Sequence, residues 1–282
     1  MLKYRLLFGT LMTALFTGLV VLDGSLTFTT AGGRAVQATV LMMVVAVVVG
    51  LGGRELSRLA AAKGLIVLNP TSIIGLMLLA TAWYWPQLIP VSRGTCVLLV
   101  VAVALAGMIV QQRARFGASG VLANCGISCF TTLYLGGLAA FVLGIRLERG
   151  LWPTLMFFFV VKSSDIGAYT FGRLFGRHKF APKISPGKTW EGMAGAMAFA
   201  SIISLAFAGI FDIMGFWPAV AFGVCMAFVG QLSDLTESML KRDAGQKDSS
   251  NRVPGFGGIL DVIDSPLFAA PTAYVFFGLA MR

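Results

Sequence analysis

Runs of about twenty apolar residues recur along the whole chain, and only short polar segments separate them. A helix of about 20 residues spans the hydrocarbon core of a bilayer, where every backbone polar group must be satisfied within the protein. With 57% hydrophobic and 12% charged residues among 282, the composition is not that of a soluble domain. We therefore predict an all-α fold: a polytopic integral membrane protein with about nine transmembrane helices.

The apolar runs give approximate centres for the nine predicted spans. These centres fall near Leu15, Val45, Leu76, Val101, Leu133, Phe158, Phe199, Val224 and Phe276. Lys3 and Arg5 precede the first run as in a signal peptide, but no convincing small-residue cleavage site follows, which favours an uncleaved first helix. No repeat, low-complexity tract or large soluble segment interrupts the pattern, so residues 1–282 are predicted to form a single integral membrane domain.

The acidic residues are distributed unevenly between the two halves of the chain. From Met1 to Glu148 the only acids are Asp23, Glu55 and Glu148 itself. Residues 1–150 are therefore predicted to be scaffold and lipid-facing helices. Residues 151–282 are predicted to hold the catalytic helices and the cytoplasmic loops.

The net charge of +10 is explained by topology. With nine spans and a cytoplasmic N-terminus, sixteen of the 22 Lys and Arg residues fall in inside segments, five fall outside, and Lys162 lies within a span. This is the positive-inside bias of polytopic membrane proteins. We expect no nucleic-acid partner, an extracytoplasmic C-terminus, and an active site that faces the cytoplasm, most simply at a bacterial inner membrane.

The cysteine and histidine content restricts the kind of metal site. Four cysteines fall within predicted spans and form no CxxC pair, so neither a disulfide framework nor a zinc site is indicated. His178 is the only histidine. A metal site must therefore use oxygen ligands, which favours magnesium or a similar hard cation.

The segment from Ser238 to Asp264 brings charge and glycine together between two apolar runs. Upstream of it, Asp234 and Glu237 lie on the helix face that also carries Ser238 and Lys241. Asp261 and Asp264 stand three residues apart at the start of the next run, where free backbone amides can bind anionic oxygen. Acids and cations at neighbouring helix ends predict metal-assisted phosphoryl or nucleotidyl transfer at the membrane surface.

A second polar block surrounds Asp165, which shares one helix face with Lys162 and Tyr169. This face is either a neutralising ion pair or part of the catalytic site. The following loop, GRLFGRHKFAPKISPGKTWEG, is either a solvated topogenic loop or a phosphate-binding segment. Its GKT is not a Walker A motif, because Pro182 occupies the position of the first glycine.

Three residues at the end of this loop are candidates for ligand binding. Lys188, Thr189 and backbone amides at the start of the next helix are expected to contact phosphate. Glu191 lies in the first turn of that helix, where it can cap the helix or bind metal.

The two blocks carry a resemblance to a known family. The stretch GQLSDLTESMLKRDAGQKDSSNRVPGFGGILDVIDS closely resembles the signature of the CDP-diacylglycerol synthase, or phosphatidate cytidylyltransferase, family, and SDIGAYTFGRLFGRHKFAPKISPGKTWEG resembles an upstream block of that family. The resemblance covers Lys162 to the end of the chain. It implies CTP and phosphatidic acid as substrates, Mg²⁺ as cofactor, and CDP-diacylglycerol and pyrophosphate as products.

The resemblance also assigns roles to residues of this chain. It implies metal binding by Asp234, Asp261 and Asp264, which with Lys241 form the predicted catalytic set. The predicted substrate-binding set is Asp165, Tyr169, Lys183, Ser185, Lys188, Thr189, Glu191, Ser238, Arg242, Lys247 and Asp248.

The chain departs from the family pattern at two positions. Phe256 stands where the family has His, and Val262 stands where it has Arg, so the roles of those two side chains do not carry over. Phosphatidate needs little help from a general base, because a phosphate monoester with a second pKa of about 6 is largely dianionic at neutral pH.

Two other functions remain open from the sequence. A CTP-dependent kinase of a membrane lipid alcohol would keep the architecture and transfer the γ-phosphate. A transporter of an anionic metabolite would use the acids for ion coupling, although such proteins place polar residues at mid-span, and here the acids cluster at span ends. A homodimer is one expected assembly.

Overall fold

The computed structural model describes residues 2–29, 32–33, 35–250 and 257–281, with side chains from residue 9 onward. The described residues are mostly helical, and the predicted all-α fold is confirmed. The only strands in this part of the chain are β1 (Phe28–Thr29) and β2 (Ala35–Val36), which form a short antiparallel ladder.

The helices follow the predicted apolar runs. The first six are α1 (Leu2–Ser25), α2 (Thr39–Ala62), α3 (Thr71–Ala80), α4 (Arg93–Phe116), α5 (Val121–Thr131) and α6 (Leu138–Arg149). A π-helical segment, Thr132–Gly137, joins α5 to α6, and a 3₁₀ turn covers Trp85–Gln87. The last four are α7 (Leu151–Phe175), α8 (Trp190–Phe211), α9 (Phe216–Asp243) and α10 (Ile259–Ala280).

Each of the nine predicted centres lies within a helical segment, but the count of nine spans is not confirmed. Within the described ranges, six helical segments are long and apolar enough to cross a membrane: Thr39–Ala62, Arg93–Phe116, Val121–Arg149, Trp190–Phe211, Phe216–Asp243 and Ile259–Ala280. Helix α3 has only 10 residues. Helix α7 has 25 residues, but Lys162 and Asp165 lower its hydropathy. The chain is an integral membrane protein.

The chain divides into two compact units. Unit 1 comprises Met1–Leu147 and Ala244–Val262, and unit 2 comprises Glu148–Asp243 and Ile263–Arg282. The boundary near residue 148 falls close to the predicted change from scaffold to catalytic helices. Whether the chain acts as the single domain predicted from its sequence stays a prediction.

In unit 1, a buried ion pair fixes the start of α2. The Asp23 carboxylate accepts hydrogen bonds from the amides of Val40 (2.9 Å) and Leu41 (3.2 Å). Arg146 Nε donates to the other carboxylate oxygen at 2.9 Å, and both side chains are almost fully buried. The carboxylate thereby satisfies two amides that a helix start leaves without intrahelical partners.

In unit 2, small residues allow α7 and α8 to pack backbone to backbone. A Cβ added to Gly167 would collide with the carbonyl of Gly195. Such close approach is typical of helices that associate in lipid, where packing supplies the stability. Thr189 caps the start of α8 by accepting from Gly192 N at 3.1 Å. The close packing holds the start of α8 beside the C-terminal half of α7.

Candidate active site

Three carboxylates of unit 2 meet at one hydroxyl group. Ser265 Oγ lies 2.6 Å from Asp234 Oδ1, 3.3 Å from both Asp165 oxygens and 3.3 Å from Asp264 Oδ1. We call these four residues, which come from α7, α9 and α10, the Ser265 cluster. A serine hydroxyl has one proton to donate, so it cannot satisfy three carboxylates. The cluster therefore carries more negative charge than its own hydrogen bonds can compensate.

Two lysines partly offset this charge. Lys188 Nζ donates to Asp234 Oδ2 at 3.1 Å and to the backbone oxygen of Gln231 at 2.9 Å, and only 15% of its side chain is exposed. Lys162 Nζ lies 3.4 Å from Asp165 Oδ2. The predicted ion pair between Lys162 and Asp165 is therefore observed, and a catalytic role for this helix face stays a prediction.

A serine of α9 bonds to the backbone of α10 where that helix carries Asp264. Ser233 Oγ donates to the Asp264 carbonyl and accepts from Phe268 N at 3.4 Å. These are the carbonyl and amide that an α-helix would bond directly. The hydroxyl of Ser233 thus ties α9 to α10 next to the cluster.

A cavity of about 160 Å³ adjoins the cluster. Its wall combines charged, aromatic and glycine residues from α7, α8, α9 and the loop before α8: Asp165, Ala168, Tyr169, Gly187, Lys188, Thr189, Gly192, Met193, Gln231 and Asp234. Pockets that bury a whole drug-sized ligand measure about 300–1,000 Å³. This cavity is therefore sized for part of a ligand, such as a phosphate group, with an ammonium and the start of α8 in its wall.

The basic loop before α8 is held in a defined conformation. Glu191 accepts hydrogen bonds from the backbone amides of Arg177 and His178, and His178 Nδ1 lies 2.6 Å from Glu191 Oε1. Trp190 N donates to the carbonyl of His178 at 2.9 Å. Glu191 thus anchors the loop that carries Lys188. Substrate binding by Glu191 stays a prediction.

Several other predicted residues of unit 2 lie outside the wall of this cavity. Lys241 forms an ion pair with the buried Glu237 on α9, one turn before it. Arg242 Nε lies 3.5 Å from the carbonyl of Ile184. The remaining three are the half-buried Ser185 and Ser238 and the exposed Lys183. Their predicted contacts with substrate are untested.

Three more predicted residues belong to unit 1. Asp261 Oδ2 accepts from Gly258 N (2.7 Å), Ser249 N (3.0 Å) and Ser249 Oγ (2.6 Å). Lys247 and Asp248 are exposed in the segment before Ser249. Val262 lies in the first turns of α10, and Phe256 lies outside the described residues. The predicted metal-binding role of Asp261 stays a prediction.

Sequence reasoning missed two residues with central contacts. Ser265 was not predicted, because an uncharged serine near the start of an apolar helix does not stand out in the sequence. Glu55 was assigned to the scaffold, yet it is fully buried, accepts hydrogen bonds from Ser250 and Leu260, and lies 3.1 Å from Ser249 Oγ. The available signal was a lone carboxylate within an apolar run, which is costly in a membrane and tends to be functional.

The Ser265 cluster has the donor chemistry that a magnesium ion requires. Within the described ranges, no three His, Cys, Asp or Glu side chains form a ready-made metal cage. Mg²⁺ does not need one, because it is usually held by one or two carboxylates together with water and substrate phosphates. Carboxylate oxygens with uncompensated charge beside a cavity fit this mode of binding.

Comparison with known proteins gives a family match over nearly the whole chain. The model of the cytidylyltransferase family matches residues 3–280. A phosphatidate cytidylyltransferase of Haemophilus influenzae is 42% identical over 151 residues, which are 48% of this chain and 51% of that protein. Proteins of the same name from Staphylococcus saprophyticus and Brucella suis are 40% identical over 144 and 149 residues, in each case 51% of this chain. The chain spans about half the length of these curated relatives, 55% and 54% for the last two.

Proposed function

Because the chain belongs to the cytidylyltransferase family, we propose that it is a phosphatidate cytidylyltransferase that transfers CMP from CTP to phosphatidic acid. A phosphate oxygen of phosphatidic acid attacks the α-phosphorus of CTP in line with the leaving group. The bond between the α-phosphorus and its bridging oxygen breaks, and pyrophosphate leaves with that oxygen. The products are CDP-diacylglycerol and pyrophosphate. The observation that carries the proposal is the Ser265 cluster beside Lys188 and the cavity.

The cationic and backbone donors of unit 2 have the task of binding phosphate. Lys188 can exchange part of its contact with Asp234 for a contact with a phosphate oxygen, because its ammonium group has three donors. Thr189 and the first amides of α8 present the positive end of a helix dipole to the same cavity. Glu191 keeps the loop in place while Lys188 and Thr189 bind. Tyr169 also lines this cavity.

The carboxylates of the same cluster have the task of holding a cation. Asp234 and Asp264 would hold Mg²⁺, with Asp165 adding negative charge from α7. When bound, Mg²⁺ neutralises the triphosphate and stabilises the charge that develops on the leaving pyrophosphate. Ser265 keeps the three carboxylates at fixed separations. Asp261 as a further ligand remains an expectation from the family resemblance.

The membrane supplies the second substrate. The protein lies in the bilayer, so the acyl chains of phosphatidic acid can stay in lipid while only the phosphate enters the cavity. We place the site at the cytoplasmic face of a bacterial inner membrane, because CTP is a soluble cytoplasmic nucleotide and the basic loop before α8 is predicted to lie inside. A reporter enzyme fused in the loop between α7 and α8 would test this side of the topology.

The distribution of labelled phosphates tests the reaction. Purified protein in detergent is incubated with Mg²⁺, phosphatidic acid and CTP labelled at either the α- or the γ-phosphate. We expect the α-label in lipid and the γ-label in pyrophosphate. No label in lipid would contradict the proposed transfer, and γ-label in lipid with diacylglycerol as the acceptor would instead identify a kinase of a lipid alcohol. Diacylglycerol in place of phosphatidic acid serves as the matched acceptor control and should yield no labelled lipid.

A further inference from the structure

We propose that Glu55 is a positioning residue for the start of α10, the helix that carries Asp261 and Asp264. The proposal rests on the proposed function, because it assigns Glu55 to the same reaction. Glu55 belongs to α2, in the half of the chain whose sequence indicates only scaffold. It lies in unit 1 with the segment Ala244–Val262, so every contact that carries the proposal lies within one unit.

Glu55 holds the approach to α10 with both carboxylate oxygens. Its Oε2 accepts from Leu260 N at 2.9 Å and lies 3.1 Å from Ser249 Oγ, whose single proton can go to either Glu55 Oε2 or Asp261 Oδ2. Its Oε1 accepts from Ser250 Oγ at 2.6 Å. We call Glu55, Ser249, Ser250 and Leu260 the Glu55 cluster. The carboxylate therefore connects Ser249 and Ser250 to Leu260 in the first turn of α10.

The contact with Leu260 has a clear physical role. The first amides of a helix have no intrahelical acceptors, and the helix dipole makes this end positive. The Glu55 side chain has no exposed surface, so solvent does not compensate its charge. A buried carboxylate is costly unless it is hydrogen bonded. The helix start and the carboxylate thus satisfy each other, and a change in either disturbs both.

The same cluster fixes the side chain of Asp261. Ser249 Oγ lies within hydrogen-bond distance of both Glu55 Oε2 (3.1 Å) and Asp261 Oδ2 (2.6 Å). Asp261 Oδ2 also accepts from Gly258 N at 2.7 Å. A Cβ at Gly258 would collide with Ser249 Oγ and with the Glu55 carboxylate, so this approach requires glycine. Glu55 therefore positions Asp261 through Ser249 and through the backbone at the helix start.

These contacts separate positioning from direct participation in the reaction. In a positioning role, the carboxylate oxygens of Glu55 are needed to accept hydrogen bonds from Leu260 and Ser250. The negative charge of Glu55 is not needed for contact with the substrate. Glutamine has the same shape and keeps one acceptor oxygen for Leu260, and the Ser250 hydroxyl can rotate to accept from the amide. Alanine removes every acceptor. A positioning role thus predicts that Glu55→Gln preserves most of the function that Glu55→Ala loses.

The test combines turnover, hydrogen exchange and thermal unfolding of the purified full chain. We expect Glu55→Ala to lower kcat for CDP-diacylglycerol formation about 30-fold or more, because misplacement of a site by about 1 Å costs about 10²-fold. Glu55→Gln should stay within about 5-fold of wild type. Amide exchange should be faster over residues 257–262 in the alanine variant and close to wild type in the glutamine variant. The matched control is Glu148→Ala, which removes a carboxylate bonded to Tyr274 (2.6 Å) and should leave kcat near wild type.

Two results would overturn the proposal. One is a Glu55→Ala variant that is folded and keeps kcat within about 3-fold of wild type. The other is a Glu55→Gln variant that loses as much activity as Glu55→Ala while its amide exchange over residues 257–262 stays at the wild-type rate. That result would mean that the reaction depends on the negative charge of Glu55 and not on the position of the helix start.

A second arm applies if Glu55→Ala does not fold. Ser250→Ala removes one donor and leaves Glu55 in place, and we expect kcat to fall about 3- to 10-fold with faster exchange over residues 257–262. Unchanged kcat and exchange in Ser250→Ala would overturn the proposal. If wild-type protein makes no CDP-diacylglycerol, the proposed function fails by itself. The exchange data then still decide whether Glu55 holds the start of α10.

Discussion

Each unit holds a polar cluster with buried or half-buried carboxylate groups, and the two clusters differ in how those carboxylates are satisfied. In the Glu55 cluster of unit 1, one carboxylate accepts from the Leu260 amide and the Ser250 hydroxyl and lies 3.1 Å from the Ser249 hydroxyl, which also contacts Asp261. In the Ser265 cluster of unit 2, three carboxylates converge on a single hydroxyl beside a cavity. Each Glu55 oxygen therefore has a protein donor of its own, whereas the three carboxylates of the Ser265 cluster share one hydroxyl and have acceptor capacity left for a ligand.

The comparison teaches how to separate structural from functional acids in a membrane protein. Burial alone does not do so, because Glu55 and Asp23 are more buried than Asp165 or Asp234. The useful quantity is the balance of donors and acceptors around each carboxylate. Where donors suffice, the acid fixes a helix start, as Asp23 does for α2. Where they do not, a cation is needed.

Removing a carboxylate from the Ser265 cluster should have the largest effect on turnover. We expect Asp264→Asn to lower kcat for CDP-diacylglycerol formation by about 10²- to 10³-fold, because one preorganised group at a developing transition state contributes about this much. Thermal unfolding should change little, since asparagine has the same shape. Wild-type turnover in this variant would show that Asp264 is not part of the active site, and it would contradict the distinction between the Glu55 cluster and the Ser265 cluster.

Replacing the buried ammonium of the cavity should have the next largest effect. We expect Lys188→Met to lower kcat/KM for CTP by about 10²-fold, because removing one member of a buried, hydrogen-bonded charge pair costs about 2–5 kcal/mol. Steady-state kinetics with varied CTP gives this value. Lys63→Met is a control at an exposed position beyond α2 and should remain near wild type. Equal losses in both variants would indicate a general effect of charge.

The shared hydroxyl should have a smaller effect. We expect Ser265→Ala to reduce kcat about 10-fold, because losing one hydrogen bond to charged groups costs about 1.5–3 kcal/mol. Ser201→Ala removes a hydroxyl that contacts the Val220 carbonyl of α9 at 3.4 Å and controls for loss of a helix-packing serine. If both variants had equal activity, the Ser265 hydroxyl would have no role in spacing the carboxylates.

The smallest effect on turnover, and the largest on stability, is expected at Asp23. Asp23→Asn leaves Arg146 buried without its full partner, and breaking such a pair costs about 3–5 kcal/mol. Thermal unfolding in detergent should show this loss, while kcat per folded molecule stays at the wild-type value. A large fall in kcat without loss of stability would mean that carboxylates fully hydrogen bonded within the protein, such as Asp23, also take part in the reaction.

The sequence predicted the elements of this fold better than the contacts between them. All nine predicted centres lie in helices, because a backbone in lipid must satisfy its own hydrogen bonds and apolar runs of that length have few alternatives. The number of spans was harder, since α3 is short and the charged residues of α7 lower its hydropathy. Asp165, Asp234 and Lys188 were predicted as site residues, and the structure brings them together.

The remaining site residues depend on contacts that sequence patterns do not encode. Glu55 is 205 positions from Leu260, and no periodicity connects α2 with α10. Ser265 has no charge and lies in an apolar run, so only the convergence of three helices reveals it. Helical spacing predicts neighbours on one helix, whereas the Ser265 cluster is assembled from three.

Binding of a divalent cation tests the central contrast most directly. Mn²⁺, observed by electron paramagnetic resonance in the presence of CTP, serves as the probe with purified wild type, Asp264→Asn and Asp23→Asn. We predict a CTP-dependent bound Mn²⁺ in wild type and in Asp23→Asn, and its loss in Asp264→Asn. Retention of the same bound signal in Asp264→Asn would contradict the assignment of the Ser265 cluster as the cation site.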